Sequence, residues 1–460
     1  MIKSFNMLAV GSKKSIFKKW EHGSVLVTDA GWGDNGKGKT ISYLDAQFGA
    51  RCVGGHNAGH TVVTDKGEFG LGLTPCTILN PGCFNVIGQD VVIDPVFLKN
   101  EIENLVKFGV TVTSKNLAID ENSHLVMPWH GIRDALSEES KGKTAVGSLH
   151  LGIGWSFIDR MDRKGLKISD LMAKDTHLRI KNELNRQMGL IEEMKLRVHL
   201  MTGSKSKVDD NMSATKITRA YLAAADFLSK YVNNTRKIIY DAISAKKRIL
   251  FEDAHGTMLD ISHGTWPYTT GAHVGLGGVY DSFGGKAVRS IKKIVVSMKA
   301  YQTRVGGGPI PTEDLDVFGK IVFERGHEFG TRSGRARRCG PIDIPLNRFG
   351  LDVIGAFPED EIALTKLDVL DTLDEIPVCV AYKIGSKTYT HIPNGSAEFV
   401  QKVKPVYVVL RGWKKDTTNI RKFSDLPKEA RDYVLFLRKH LNQPITMIGV
   451  GKHKDAVILP

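Results

Sequence analysis

The chain has 460 residues, of which 42% are hydrophobic and 25% are charged, a composition typical of soluble globular proteins. No apolar run approaches the roughly 20 residues that a membrane-spanning helix requires, so the sequence predicts that the chain is not an integral membrane protein. The formal net charge of +14 is compatible with nucleic acid, anionic lipid or anionic small molecules as partners and does not decide among them.

The N-terminal residues 1–24 contain five lysines and a single acidic residue, Glu21. They lack the arginines and the long apolar core of targeting segments, which favours a basic extension that is disordered or only loosely docked. We expect residues 25–460 to form a single large domain.

The five cysteines are scattered and include no CxxC pair, which argues against a disulfide framework or a zinc site and indicates a reducing, cytoplasmic environment.

A glycine-rich loop follows the first apolar run. Residues 25–40 read VLVTDAGWGDNGKGKT, the composition of a strand, a phosphate-binding loop and the start of a helix. Glycines allow backbone N–H groups to approach a phosphate, while lysines and the positive end of a helix add favourable charge. The spacing differs from the P-loop pattern GxxxxGK[ST] by an extra Gly-Lys pair. The sequence predicts a P-loop-like polyphosphate site, with a glycine-rich surface turn as the alternative.

A second glycine-flanked turn, VGGHNAGHT at residues 53–61, presents His56, Asn57 and His60. The surrounding glycines oppose a helix, so two histidines four residues apart are not expected to bind a metal from one helical face. We interpret these residues as part of a site, with His60 as the better candidate for an acid. A structural histidine is the alternative interpretation.

The middle of the chain alternates strand and helix patterns. Residues 86–120 place an amphipathic helix, beginning at Pro95, among apolar runs. This pattern predicts an α/β fold with a mostly parallel central sheet, helices on both faces, and ligands at the carboxyl ends of the strands. The glycine-rich residues 142–155 predict a loop that closes over a ligand. Residues 170–245 predict a charged helical insertion, with an interaction surface as the alternative.

Three later segments repeat the pattern of a buried strand followed by a polar loop: residues 248–270, 294–313 and 362–371. The last one, IALTKLDVLD, contains Lys366 and Asp368. In guanine-binding NTPases a lysine packs on the base and a carboxylate accepts hydrogen bonds from N1 and the 2-amino group. The glycine turn within residues 445–459 is expected to complete such a base pocket.

An arginine-rich loop, GTRSGRARRCG at residues 330–340, contains Arg332, Arg335, Arg337 and Arg338. Guanidinium groups bind carboxylates or phosphates in a bidentate manner, so the loop predicts an anion-binding clamp. A nucleic-acid surface is the competing interpretation. It is less favoured because no aromatic residues alternate with the arginines.

Taken together, these segments resemble the adenylosuccinate synthetase family over nearly the whole chain from Val25 onward. The motifs WGDNGKGK, GGHNAGHT, HGTWPYTT, TRVGGGPIPTE, EFGTRSGRARR and LTKLDVLD occur in the order and spacing of that family. The resemblance implies a GTP-dependent ligation in which the 6-oxygen of inosine monophosphate (IMP) is phosphorylated and L-aspartate then displaces the phosphate. It also implies Mg²⁺ as a cofactor and a homodimer.

The resemblance assigns two residues to catalysis, Asp34 as the general base at purine N1 and His60 as the acid at the transferred phosphate. Asp34 and the carbonyl of Gly59 are implied as ligands of Mg²⁺. A carboxylate beside N1 suits this chemistry, because a 6-oxopurine must lose its N1 proton before its 6-oxygen becomes a useful nucleophile.

The remaining matched positions form three groups. Those implied to bind GTP are Gly33, Asn35, Gly36, Lys37, Gly38, Lys39, Thr61, Lys366, Asp368, Gly449 and Gly451. Those implied to surround the purine nucleotide are Asp34, Asn57, Ser148, Leu149, Arg163, His255, Thr270 and Val305, with Arg163 reaching in from a second subunit. Those implied to bind aspartate are Thr331, Arg332, Ser333, Arg335 and Arg337.

Several positions depart from the family pattern. Asn35 stands where the family usually has Glu, His255 where it has Gln, and Arg332 where it has Thr. The family motif GTTGRG is replaced by GSLHLG at residues 147–152, so that Leu149 and Leu151 remove polar contacts to the nucleotide phosphate.

These departures leave two alternatives to IMP ligation. The first is the same chemistry on dGMP, as in phage relatives of the family, giving a 2-amino-deoxyadenylosuccinate; many of those relatives replace the catalytic Asp, which is present here as Asp34. The second is a non-catalytic homologue that binds GTP or nucleic acid. The presence of both Asp34 and His60 argues against it, and we expect IMP to be the acceptor.

Overall fold

The apolar runs of the sequence form short, mostly parallel strands. The computed structural model describes residues 15–142, 145–330 and 334–460. Its strands are β1 (Gly23–Thr28), β2 (Phe48–Arg51), β3 (His60–Thr64), β4 (Gly67–Leu71), β5 (Phe84–Ile87), β6 (Leu117–Asp120), β7 (Val232–Asn233), β8 (Arg248–Glu252), β9 (Ile291–Lys299), β10 (Gln302–Arg304), β11 (Arg338–Gly340), β12 (Ile342–Asp343), β13 (Glu361–Thr365), β14 (Glu375–Ile384), β15 (Lys387–Tyr389), β16 (Lys404–Arg411), β17 (Ile445–Gly449) and β18 (Val457–Ile458).

Ten of these strands form one sheet in the order β18-β17-β13-β9-β1-β8-β2-β5-β6-β7. Its neighbouring strands are parallel except for the antiparallel pair of β17 and β18. The predicted mostly parallel central sheet is confirmed. Smaller sheets are formed by β3 with β4, by β10 with β11, and by β14 with β12, β15 and β16.

Helices cover both faces of the sheet, as predicted. They are α1 (Lys37–Tyr43), α2 (Pro95–Lys107), α3 (Pro128–Lys141), α4 (Ile153–Met161), α5 (Ile168–Leu171), α6 (Thr176–Thr202), α7 (Ala214–Leu228), α8 (Thr235–Ser244), α9 (Leu276–Phe283), α10 (Gly285–Ser290), α11 (Val317–Gly326), α12 (Ile344–Ile354), α13 (Ala397–Lys402) and α14 (Lys428–Leu441). Among these described helices, none has the length and apolar character that crossing a membrane requires.

The alternation of side chains along β1 divides the hydrophobic core in two. Val25 and Val27 point to a cluster that includes apolar residues of α1, α2, α3, α6 and α7. Leu26 points to the opposite cluster, which includes apolar residues of α8, α9, α11, α12 and α14. Successive residues of a strand face opposite sides of a sheet, so the continuous apolar run of β1 is buried on both of its faces.

The helical segment predicted over residues 170–245 is interrupted near its end. Helix α7 ends at Leu228, and residues 232–233 then pair with β6 as the last strand of the central sheet. Asn234 starts the next helix, because its side-chain oxygen accepts a hydrogen bond from the Lys237 N–H at 2.9 Å. The insertion therefore consists chiefly of α6 and α7, whereas α8 belongs to the layer that covers the sheet.

Part of the predicted N-terminal extension is packed against the domain. Ser15 Oγ and the Ile16 N–H donate to the Glu361 carboxylate, at 2.8 and 3.0 Å. Phe17 is 9% exposed and lies in the core beside Tyr43. Residues 15–17 are therefore docked on the domain, because they bury apolar surface and satisfy a buried carboxylate; residues 1–14 lie outside the described part of the chain.

This packing predicts a stability effect for Phe17→Ala. Removing a buried aromatic ring is expected to lower the free energy of unfolding by about 3 kcal/mol, measured by denaturant unfolding followed by circular dichroism. The matched control is Phe357→Ala, because Phe357 is 66% exposed and its loss should change stability by less than about 0.5 kcal/mol. Equal effects of the two substitutions would contradict the docking of residues 15–17.

Candidate active site

Loops that follow neighbouring strands converge at the carboxyl edge of the central sheet and line three adjoining cavities. The central cavity is lined by Gly33, Asp34, Lys37, Asn57, Gly59, His60, Leu149, His255 and Val305, among others. The lysine cavity adds Asn35, Gly36, Gly38, Lys39, Thr61, Arg337, Lys366, Gly451 and Lys452. The α3 cavity, beside α3 and α4, adds Ser148, Leu151, Thr270, Arg304 and Arg335. Neighbouring cavities share residues, so the three form one continuous cleft.

The glycine-rich loop between β1 and α1 requires its glycines. Gly36 has φ 83°, and a Cβ atom there would lie 2.8 Å from Thr365 Cγ2. A Cβ on Gly38 would lie 2.7 Å from the Thr61 carbonyl oxygen. Asp34 itself has φ 57°, the left-handed conformation that non-glycine residues rarely adopt. The sharp turn directs the Asp34 side chain into the cleft, which is consistent with a functional use of the strain.

Both lysines of the loop have buried partners. Lys37 Nζ lies 3.3 Å from Asp29 Oδ2 and donates to the His255 carbonyl. Lys39 Nζ donates to the carbonyls of Gly451 and Ala456, at 2.7 and 2.8 Å. Burial lowers the pKa of Lys39 to about 8. The loop after β17 thus contacts the start of α1, directly after the glycine-rich loop.

His60, the first residue of β3, is oriented by a buried carboxylate. Its Nδ1 lies 2.6 Å from Glu252 Oε1, and Arg51 Nη1 donates to the same oxygen at 2.6 Å. Burial, reinforced by the Arg51 charge, lowers the pKa of His60 to about 4. Burial alone would raise the pKa of Glu252, but His60 and Arg51 outweigh it and lower that pKa to about 2. An ionised carboxylate only accepts hydrogen bonds, so Nδ1 of a neutral His60 donates to Glu252.

Glu328 is the common partner of three cations in and beside the lysine cavity. It accepts from Lys299 at 2.8 Å, from Lys366 at 2.7 Å and from Arg337 at 2.6 Å, and from the Tyr301 hydroxyl. Burial would raise the pKa of Glu328, but the three cations hold it well below its usual range.

The second contact of Arg337 is with the proposed base. Arg337 Nε lies 3.1 Å from Asp34 Oδ2. Because Arg337 also binds Glu328, one guanidinium connects the phosphate loop to the network that holds Lys366. The arginine-rich loop therefore contributes directly to the position of Asp34.

His255 and Asn57 face each other across the central cavity, with Asn57 Nδ2 3.3 Å from His255 Nε2. Burial, together with the charges of Lys37 and Arg51, lowers the pKa of His255 to about 3. His255 is therefore a neutral imidazole at neutral pH. Its ring and the Asn57 amide offer neutral donors and acceptors to the central cavity.

The loop that bounds the α3 cavity is held by two acidic residues of α3. Glu138 accepts from the Gly147 and Ser148 N–H groups at 2.7 and 3.0 Å, and Asp134 accepts from Ser148 Oγ at 2.6 Å. Arg335 Nη1 donates to the Gly147 carbonyl at 2.8 Å. Leu149 and Leu151 contribute apolar walls to the cavity.

Lys366 and Asp368 follow β13, as the sequence predicts for a base-recognition motif. Lys366 has φ 58°, and its ammonium binds Glu328 and the Gly326 carbonyl. Asp368 Oδ1 is buried and has no hydrogen-bond partner among the described residues. Burial, together with the nearby Asp371, raises the pKa of the Asp368 carboxyl. An unpaired buried carboxylate oxygen requires a donor; Asp368 lines none of the three cavities.

Not all predicted residues line the cleft. Gly449 is the last residue of β17 and packs against Lys39, where a Cβ would lie 3.4 Å from Lys39 Cε. Arg163 is exposed beyond the end of α4 and does not line any of the three cavities. The predicted aspartate-binding residues Thr331, Arg332 and Ser333 lie outside the described residues.

The sequence interpretation missed the residues that hold the others in place, namely Asp29, Arg51, Asp134, Glu138, Glu252 and Glu328. The sequence contains one feature that could have identified two of them, Arg51 and Glu252. Arg51 and Glu252 are the final residues of two apolar strands, and they are direct partners in the pairing of β2 with β8. A charged residue that ends a buried strand is a candidate for a site at the carboxyl edge of the sheet.

Comparisons with known proteins point to one family. A family model described as adenylosuccinate synthetase matches residues 26–458. The adenylosuccinate synthetase of Gloeothece citriformis is 40% identical over 440 residues, covering 95% of this chain and 94% of that protein. The adenylosuccinate synthetase of Koribacter versatilis is 38% identical over 437 residues, covering 95% of each chain.

Two solved structures share the fold. The fully ligated adenylosuccinate synthetase from Plasmodium falciparum superposes with a TM-score of 0.85 at 30% identity, covering 95% of this chain and 99% of that one. The succinoaminodeoxyadenylate synthetase of cyanophage S-2L, bound to dGMP and dATP, gives a TM-score of 0.58 at 18% identity, over 96% of both chains. The second likeness shows a shared fold only.

The low pKa of His60 predicts a pH-dependent contribution to stability. Unfolded His60 binds a proton below about pH 6.5, whereas the folded state resists protonation down to about pH 4. The free energy of unfolding therefore decreases as the pH falls from 6.5 to 4. At pH 4 the contribution of this one histidine to the decrease is about 3 kcal/mol. We expect the free energy of unfolding of His60→Gln to fall less than that of the wild type over this range.

The control is His263→Gln, which replaces an exposed histidine and should reproduce the wild-type pH profile. Urea unfolding at a series of pH values provides the measurement. Identical slopes for wild type and His60→Gln would show that His60 is not held in its neutral form by the fold.

Proposed function

The chain belongs to the adenylosuccinate synthetase family, and from this premise we propose how its own residues carry out the reaction. It is a GTP-dependent ligase that converts IMP, GTP and L-aspartate to adenylosuccinate, GDP and phosphate. The observation that carries the assignment of roles is the continuous cleft in which Asp34 and His60 lie between a lysine-lined cavity and a second cavity beside α3.

We assign GTP to the lysine cavity and IMP to the central and α3 cavities. Glycine N–H groups of the phosphate loop, with Lys37 and Lys39, suit a polyphosphate. Asn57, His255, Thr270 and the backbone of the loop at Ser148 suit a purine nucleotide. L-Aspartate is assigned to the arginine-rich loop, with Arg335 and Arg337 as the described residues able to bind its carboxylates.

In this arrangement Asp34 removes the proton from N1 of IMP, which makes the 6-oxygen a nucleophile. The 6-oxygen attacks the γ-phosphorus of GTP, the bond to the bridging oxygen breaks, and GDP leaves. The amine of L-aspartate then attacks C6, and the C6–O bond breaks with release of phosphate. The protein contributes chiefly alignment and positive charge to these steps.

His60 serves the transferred phosphate. Its pKa is low in the ligand-free protein, but the phosphates of bound GTP add negative charge nearby and favour the imidazolium form. Glu252 fixes the ring through Nδ1, which leaves Nε2 to donate to the phosphate. The resulting dyad resembles the carboxylate–histidine pairs that orient catalytic imidazoles in other enzymes.

Mg²⁺ fits the oxygen donors at the junction of the two cavities. Asp34 and Gly59 line both the central and the lysine cavity, and a carboxylate with a carbonyl and substrate phosphates is a typical Mg²⁺ environment. We propose that Asp34 and the Gly59 carbonyl hold the ion, which supplies positive charge to neutralise the phosphates. Asp34 exchanges its contact with Arg337 when it acts on substrate.

A homodimer would complete the nucleotide phosphate site. Among the described residues, the cations that line the α3 cavity already have partners in the chain: Lys141 binds Glu138, Arg304 binds the Pro309 carbonyl, and Arg335 binds the Gly147 carbonyl. Arg163 is exposed and is therefore available to the cleft of a second subunit.

A cytoplasmic location is also proposed, supported by five cysteines that are all unpaired.

The alternative acceptor dGMP has little support. It depended on Leu149, Leu151 and His255, but relatives at 38–40% identity over almost the whole chain are adenylosuccinate synthetases. The phage enzyme shares only the fold with this chain.

The activity and the role of the base are tested together. The wild-type protein with IMP, GTP, Mg²⁺ and L-aspartate should raise the absorbance at 280 nm and release phosphate, whereas Asp34→Asn should lower kcat by about 10³-fold, since it cannot accept the N1 proton. Asp241→Asn is the control, because Asp241 is exposed on α8 and its substitution should leave kcat unchanged. An inactive wild-type protein would refute the function, and a fully active Asp34→Asn would refute the role of the base.

The guanine assignment is tested by Asp368→Asn. The carboxylate accepts from guanine N1–H and the 2-amino group, whereas an amide presents a donor that suits the 2-oxo group of xanthine. We expect kcat/KM for GTP to fall about a hundredfold and kcat/KM for XTP to rise, with KM for IMP little changed. Unaltered preference for GTP over XTP would place the base elsewhere.

A further inference from the structure

Asp29, the first residue after β1, is a buried carboxylate whose polar contacts go to the phosphate loop. Its Oδ1 accepts from the Gly31 N–H at 2.8 Å and from Asn35 Nδ2 at 2.9 Å. Its Oδ2 lies 3.3 Å from Lys37 Nζ, and both of these side chains are at most 2% exposed. One carboxylate therefore holds a turn, an amide and an ammonium group within the same loop.

The position of Asp29 is itself fixed from the neighbouring strand. Its carbonyl accepts from the N–H and the hydroxyl of Thr257, at 2.9 and 3.1 Å. The loop after β8 also approaches the side chain, since a Cβ on Gly256 would lie 2.6 Å from Asp29 Oδ1. In the same loop, the carbonyl oxygen of His255 accepts a hydrogen bond from Lys37 Nζ. The Lys37 ammonium thus lies between two anchored oxygens.

The Asp29 carboxylate also determines which residue can occupy position 35. A carboxylate can only accept, so the Asn35 group that faces Asp29 must be the NH₂ of its amide. An acidic side chain at this position would bring two buried carboxylates within hydrogen-bonding distance, which is strongly unfavourable while both are ionised. The asparagine, a departure from the usual family pattern, is the residue that this neighbour requires.

We propose that Asp29 is a positioning residue for GTP, which aligns Lys37 for the phosphates and requires a neutral side chain at position 35, beside the catalytic Asp34. The proposal rests on the proposed function, because it assumes that Lys37 contacts GTP. A buried ammonium that loses its carboxylate partner is left uncompensated and must move. The charge that meets the phosphates is then misplaced, whereas the aspartate-binding loop is unaffected.

The first test is a double-mutant cycle of Asp29→Asn and Lys37→Met. The new amide can keep the contacts of Oδ1 with Gly31 and Asn35, but its NH₂ faces the Lys37 ammonium and repels it. We expect Asp29→Asn to lower kcat/KM for GTP about a hundredfold while KM for L-aspartate changes less than about threefold. In the Lys37→Met background, Asp29→Asn should have little further effect, since its partner is gone.

A purely structural role predicts a different result, namely that Asp29→Asn lowers activity by the same factor with and without Lys37. That additive result would overturn the proposal. The matched control is Asp241→Asn on the surface of α8, which should equal the wild type in every assay. Because wild-type activity is measured in the same series, failure of the proposed function appears as an inactive wild type and is distinguished from failure of this inference.

The second test leaves Asp29 intact, so it decides the proposal even if Asp29→Asn does not fold. Asn35→Asp is nearly isosteric, and Asn35→Ala removes the amide without adding charge. Repulsion from Asp29 predicts that Asn35→Asp lowers kcat/KM for GTP at least tenfold more than Asn35→Ala does. If Asn35→Asp is as active as Asn35→Ala or more active, the proposed requirement for a neutral residue is wrong.

Discussion

The lysine side of the cleft depends on the ionised state of Glu328. Three cations from separate parts of the chain, Lys299 at the end of β9, Lys366 after β13 and Arg337 before β11, bind this one buried carboxylate. Bringing three cations this close together without a counterion would be strongly unfavourable, because they repel one another. Glu328 therefore makes it possible to place Lys366, a strand-terminal lysine and the arginine that contacts Asp34 within one network.

The same principle, a buried anion shared by several groups, recurs at the other functional side chains. Glu252 is shared by Arg51 and His60, and Asp29 by Lys37 and Asn35. These anions follow or end adjacent parallel strands, where the sheet holds them rigidly. Removing one member of such a group leaves another charge buried and unpaired, so each acts on several partners at once.

The sequence predicted the fold well, because the fold depends on local patterns, and several of the residues it singled out line the cleft. Buried strands followed by polar loops gave the parallel sheet, and Asp34, His60 and Lys366 all reach the cleft. The supporting anions were missed because their partners are distant in sequence; Glu252 lies 192 residues from His60. The break between α7 and α8 was missed because apolar periodicity continues across it, although the two asparagines there favour a helix start over a continuous helix.

The two ends of the cleft differ in what a ligand must displace. On the lysine side the cations are already held by fixed anions and carbonyls, so this region is preorganised for an anionic ligand. Beside α3, by contrast, the Gly147 and Ser148 N–H groups donate to Glu138, and a ligand that used these donors would have to compete with that carboxylate for them. Backbone donors rather than side chains are then the main contacts that this loop offers. This accounts for the presence of Leu149 and Leu151 in it, because apolar side chains leave the backbone donors unchanged while they line the cavity wall.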